Sequence, residues 1–157
     1  MNNPRNKYEV VKNIGLTLLA EGKTIRIKAH GYSMFPSIKP GSLIVIEPLN
    51  IKGLPRPGEI IAIRRESGLI VHRLSGIINK NNVTYYIARG DSNAYADIPV
   101  KIDKIAGRIV RAESTGENPV PANVSINTKP NYFFNRIKVI LLLMKKKIQL
   151  TAKAAKM

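Results

Sequence analysis

Cysteine is absent from the sequence, which excludes a disulfide framework and a thiolate zinc site and leaves the redox compartment open. Acidic residues are scarce, 10 against 26 basic ones, for a formal net charge of +16. From Asn118 onward there are 8 basic residues and no acidic one, so half of the excess lies in the last quarter of the chain. Long apolar runs are missing too. Tyr8 to Glu21 is interrupted by Glu9, Lys12 and Asn13, and Val139 to Met144 falls far short of the roughly 20 apolar residues that cross a bilayer. No apolar core followed by a small-residue cleavage site marks a signal peptide. The expected location is therefore cytoplasmic or peripheral to a membrane. No aromatic platform interleaves with the basic residues, which argues against nucleic acid as a partner. There is no internal repeat and no low-complexity tract.

What is present suits one domain with an extension, since 157 residues bury a core without covalent staples. Val10, Val11, Ile14, Leu18 and Leu19 recur at helical spacing and Gly22 follows as a C-cap, which predicts a helix over 8–21 packed on a sheet. Alternating or apolar segments then follow at Thr24 to Ala29, Leu43 to Ile46, Glu59 to Arg65, Leu69 to Ile78, Val83 to Ala88 and Ile105 to Val110. Turns of Gly, Pro and Asn separate them. The expected fold is mainly β, a coiled antiparallel sheet or partial barrel, with an N-terminal helix and a basic amphipathic C-terminal helix. The expected organisation is a domain over 1–117 (β-rich over 23–112), a proline-containing linker over 118–131 and a tail over 132–157.

Chemistry concentrates in Ala29 to Pro48, around Ser33. Gly31 can take positive φ, Pro36 holds its own φ and biases Phe35 away from helix, and Pro40-Gly41 turns the chain into an apolar strand. Such a turn presents a serine hydroxyl as a nucleophile, provided that a base, an orienting group and oxyanion donors surround it. An ordinary serine in a Gly/Pro loop would look the same locally. His72, in Ile70-Val71-His72-Arg73-Leu74, is the candidate base: a neutral imidazole accepts the proton on attack and returns it to the leaving amine. The plain alternative is a strand histidine satisfied by its neighbours. Arg73 either pairs with a carboxylate through its two-point fork or is a solvated strand residue. His30, three residues before Ser33, is a rim residue.

The segments GYSMFPSIKPGSLIVI, RPGEIIAIRR, GLIVHRLSGI and YYIARGDSNAYAD, in that order over Lys23 to Arg111, resemble the boxes of signal peptidase I and its relatives, a superfamily that includes the self-cleaving LexA-like repressors. The resemblance implies that fold, with Ser33 in the nucleophile box supported by Gly31, Met34 and Pro36. At the base position the chain is similar to the endoplasmic-reticulum, archaeal and sporulation type, which carries histidine; the bacterial membrane enzymes and the LexA-like proteins carry lysine. The spacing of Asp91 and Asp97, in a box with Gly90, Ser92 and Asn93, matches the acidic pair of the histidine-type enzymes, so by resemblance both belong to the site. An anionic oxygen on His72 would select its tautomer. Which acid touches the ring is open, and Asp91 alone would also pass for a turn cap. For the oxyanion the donor is the Ser33 N–H. Many signal peptidases carry a serine two residues before the nucleophile, whereas this chain has Gly31, as LexA-like proteins do.

The expected activity is that of a serine endopeptidase similar to signal peptidase I, cleaving a signal or leader peptide or another extended peptide, with no cofactor and no metal. A catalytically silent peptide-binding or scaffold module of the same fold is the main alternative. A LexA-like self-cleaving regulator is disfavoured, because a single helix precedes the serine turn and the sole Ala-Gly pair, Ala106-Gly107, lies in a predicted strand. In the tail, Phe134, Ile137, Leu141, Met144 and Ile148 fall at three- and four-residue steps, with Arg136, Lys138 and Lys145 to Lys147 around them. This pattern points either to an anionic membrane surface or to a helix docked on the domain or a partner.

Overall fold

The structure, a computed structural model, describes residues 13–49, 53–66, 68–113 and 129–154. Helix α1 covers residues 13–20; the expected start at Tyr8, with Val10 and Val11, lies outside the described residues. It ends in a Schellman turn. Gly22 takes φ 81°, its N–H donates to Leu19 O at 3.1 Å, and Lys23 N–H donates to Leu18 O at 2.9 Å. Leu19 is buried, but Ile14, expected on the same apolar face, is 54% exposed. Among the described residues the helix meets the sheet through Leu18 and Leu19, and a Cβ on Gly15 would stand 3.4 Å from Ile25 Cδ1.

Six strands follow: β1 (Ile25–Lys28), β2 (Leu43–Glu47), β3 (Ile60–Arg65), β4 (Gly68–Lys80), β5 (Val83–Arg89) and β6 (Ile105–Glu113). They form one antiparallel sheet in the order β1-β2-β6-β3-β4-β5. The expected segments are the observed strands, with ends moved by pairing. β6 runs on to Glu113 because Leu43 of β2 pairs with it, and β4 continues to Lys80 opposite Val83. A two-residue turn at Asn81 and Asn82, with φ 51° and 58°, closes that hairpin; Asn tolerates the left-handed conformation such turns require.

β3 explains why the core has two sides. Its Ile60-Ile61-Ala62-Ile63 is apolar without alternation, as in strands covered on both faces. Ile60 and Ala62 join Leu19, Ile25, Ile44, Ile46 and Ile109 on one side. Ile61 and Ile63 join Leu74, Tyr86, Ala88 and Ile105 on the other. Pairing registers shift at Val45/Ile46, Ala62/Ile63 and Leu74/Gly76, and such bulges bend and twist a sheet. The sheet curls accordingly. Edge strand β1 and strand β4, separated in the order by β2, β6 and β3, line one cavity together.

Beyond β6, residues 114–128, and with them most of the expected linker over 118–131, lie outside the described residues. Helix α2 (Tyr132–Ala154) begins at Asn131, whose Oδ1 accepts from the Phe134 N–H at 3.2 Å as an N-cap.

One close approach sets a sharp test. A Cβ on Gly107 in β6 would come within 2.4 Å of Glu47 O in β2, whereas one on Gly76 would meet nothing within 4 Å. Gly107→Ala should lower stability by about 1–3 kcal/mol in urea unfolding, and Gly76→Ala should stay within about 0.5 kcal/mol. Equal effects would refute the tight contact between β2 and β6.

Candidate active site

The serine turn is held from below. Met34 and Ile38 sink into the core at 5% and 3% exposure and leave Ser33 half-buried between Tyr32 and Met34. Phe35 N–H donates to Tyr32 O at 2.9 Å and Ile38 N–H to Met34 O at 2.8 Å. Gly31 takes φ 77°, as the turn requires of it, and the Phe35-Pro36 bond is cis. Among the described residues the Ser33 N–H has no backbone acceptor.

A second loop, 90–97, is stitched to this turn. Ser92 N–H donates to Ser33 O at 2.9 Å, and Ser92 Oγ donates to Tyr32 O at 2.7 Å. Gly90 is the one residue that fits here, because a Cβ would stand 2.8 Å from Ser33 O and 2.8 Å from Asn93 Cγ. Arg89, at the end of β5, donates to the carbonyls of Asn93 and Ala94 at 2.9 Å each. Asp97 N–H donates to Ala88 O at 2.7 Å. The loop therefore has both ends tied before it meets any side chain of the site.

The two acids, expected to share one site, have separate partners. Asp97 Oδ2 stands 2.6 Å from His72 Nδ1. A carboxylate at this position accepts from Nδ1–H, the tautomer that leaves Nε2 as the acceptor nitrogen of a neutral ring. Asp91 does not touch the imidazole. Its carboxylate takes both prongs of Arg73, Nε to Oδ1 at 2.9 Å and Nη2 to Oδ2 at 2.8 Å, with both side chains almost wholly out of solvent. Ser37 Oγ also donates to Asp91 Oδ2, and Arg73 Nη1 donates to Gly58 O at 2.8 Å. This buried cluster joins β4, the serine turn and the 90–97 loop. Its role is to hold those three pieces in register.

Ser33 and His72 line the same cavity, about 730 Å³ in volume. Its walls are apolar, with Ile25 and Ile27 of β1, Ile44 of β2 and Leu69 and Val71 of β4. His30 is exposed at its lining, as expected of a rim residue, and Asn93 lines it from the second loop. Among the described residues no group of His, Asp or Glu is arranged to hold a metal ion.

Three contributors escape sequence reasoning. Ser37 reads as one more loop serine. Asn135 in α2 donates its Nδ2–H to Asp91 O at 3.1 Å while 93% buried. Tyr132, the first residue of α2, places its ring 3.7 Å from the Arg89 guanidinium. The only available signal is a polar residue, Asn135, in a first turn that is otherwise aromatic.

Removing one partner of a buried ion pair strands the other charge, a loss of about 3–5 kcal/mol. Arg73→Ala and Asp91→Ala should each destabilise by that amount in chemical unfolding, and the double variant should cost well below their sum. Strict additivity would show that the pair is not coupled. Burial pushes the Tyr132 phenol above its ordinary value, the Asp91 charge adds to the shift, and Arg89 and Arg73 partly offset it. A raised folded-state value means stability that is full below about pH 10 and is lost as pH climbs through the folded-state value. Wild type should therefore lose more stability than Tyr132→Phe in that alkaline range, and identical alkaline profiles would refute the burial of this phenol.

The Peptidase S24-like family profile matches residues 3–110, a span that contains the serine turn, His72, Asp91 and Asp97. Among curated proteins no match is found. The matched span covers most of the chain, including the turn that carries Ser33, the strand that carries His72 and the 90–97 loop, and stops short of Tyr132 and Asn135 in α2. The chain belongs to the Peptidase S24-like family, within the superfamily that joins LexA-like proteins and signal peptidases.

Proposed function

We propose that the protein is a serine endopeptidase similar to the histidine type of signal peptidase I, cutting a signal, leader or other extended peptide. One juxtaposition carries this reading: Ser33 and His72 line one apolar cavity, and the second ring nitrogen of His72 is held by Asp97. Ser33 Oγ attacks the substrate carbonyl carbon as His72 Nε2 takes its proton. The tetrahedral oxyanion is met by the Ser33 N–H, and Gly31 supplies no hydroxyl as a second donor. The imidazolium returns the proton to the leaving amine, and an acyl-enzyme remains. Water then repeats the sequence in the other direction and frees Ser33. Asp97 stabilises the imidazolium formed in each half.

The substrate would lie extended along β1, whose outer edge has no strand partner among the described residues. Apolar walls from Ile27, Ile44 and Val71 suit a small uncharged side chain before the scissile bond. A silent peptide-binding module would use the same cavity without the proton transfer. A self-cleaving regulator fits less well. The Ala106-Gly107 bond lies within β6, which pairs with β2 on one side and β3 on the other, out of reach of an attacking hydroxyl.

With an extended peptide bearing small residues before the cut, Ser33→Ala and His72→Ala should each lower kcat/KM by about 10⁴-fold or more, and Asp97→Asn by about 10²- to 10⁴-fold. Peptide binding should persist in Ser33→Ala. Cleavage that survives unchanged in Ser33→Ala would sink the assignment, and a wild type that binds peptides and cuts none would establish the silent module.

A further inference from the structure

Helix α2 leaves the body of the protein almost at once. Asn135 is its one buried residue among the described side chains, Tyr132 and Val139 are half-buried, and residues 140–152 are exposed. At about 100° per residue, Phe134, Ile137, Ile140, Leu141, Met144 and Ile148 fall within an arc of about 120°. Their exposures run from 37% to 64%. Contiguous exposed apolar surface of this kind marks a contact surface.

The borders of the arc identify the partner. Lys138 and Lys145 flank one side, Arg136 and Lys147 the other, and α2 holds no acidic residue. Long basic stems that run along an apolar face and end in charge are suited to a hydrocarbon boundary beneath anionic headgroups. A second copy of α2 fits poorly. The seam Phe133, Ile137, Ile140, Met144 meets Lys147 and then Thr151 at its next steps, and two helices whose every charge is positive repel. Spanning is excluded for α2, since among the described residues no helix is long and apolar enough to cross a membrane.

We infer that α2 lies in the plane of an anionic lipid surface, with the Met144 side inserted and the body of the protein held above it. The orientation follows from the docking contacts. Asn135 lies nine residues before Met144, about half a turn round the helix, and it is Asn135 that grips the 90–97 loop. Tyr132, stacked on Arg89, sits on that same side. The face that holds the protein and the face offered to lipid are thus opposite. Leu142, Leu143 and Leu150 fall outside the arc and share that far side with Lys146 and Gln149. The lipid contact stands on α2 alone. If the peptidase reading also holds, the loop that supplies Asp97 is held near the bilayer, where peptides leaving or lying on the surface are met.

The chain has no tryptophan, so single tryptophans report cleanly on depth. With phosphatidylcholine vesicles containing phosphatidylglycerol, Met144→Trp should shift its emission to the blue and Lys146→Trp should not. The full chain should sediment with these vesicles and stay free of pure phosphatidylcholine. Lys138→Gln and Lys145→Gln should each weaken partitioning roughly fivefold, and Leu141→Glu should abolish it. All of these positions are exposed, so loss of core packing does not confound them. The inference is overturned by failure to bind anionic vesicles, by binding without a Met144→Trp shift, by equal shifts at both tryptophans, or by a dimer in solution that Leu141→Glu dissolves.

Discussion

The bond on which the site rests is the two-pronged pair between Arg73 and Asp91, sealed from water and capped by Ser37. Desolvating two such charges is costly, and a pair of this kind adds little net stability over well-packed apolar residues. Its value is geometric. Arg73 is the strand neighbour of His72, and Asp91 begins the loop that ends in Asp97. Locking the first two to each other sets the distance between the second two. The hydrogen bond from His72 Nδ1 to Asp97 thus depends on a pair of residues that never touch the imidazole.

Packing of backbone against backbone completes the arrangement. The serine turn and the 90–97 loop approach so closely at Ser33 O that only glycine fits at position 90. Further out, the bulges between β2 and β6 and between β3 and β6 curl the sheet until β1 and β4 face across one cavity. The apolar wall and the polar pair are then brought together by sheet curvature rather than by nearness in the chain.

Charge divides the molecule into two working parts. The β body carries most of the acidic residues and uses several of them internally, as in Arg73–Asp91, Arg108–Glu59 and His72–Asp97. Helix α2 carries only positive charge. Its first residues belong to the body through Asn135 and Tyr132, and the remainder of its length is offered outward.

Much of the fold was legible because it rests on local periodicity. Alternation at Ile25 to Lys28 and the unbroken run Ile60 to Ile63 announced their strands, Gly22 announced the end of α1, and the Asn-containing turn between Ile78 and Val83 the hairpin. Ile14 was misplaced because helical spacing says which residues share a face and says nothing of how far a sheet extends beneath it. The serine, the histidine and the two acids were visible as residue types in ordered boxes. The sequence alone determined which elements form and which groups are chemically available, since those follow from short-range sterics and side-chain identity. Only the tertiary structure decided that Asp97 faces the ring while Asp91 faces Arg73, and that Asn135 reaches back to the same loop. Those choices depend on which distant backbone segments pack within hydrogen-bond reach, a matter of sheet curl and loop closure that no local spacing encodes.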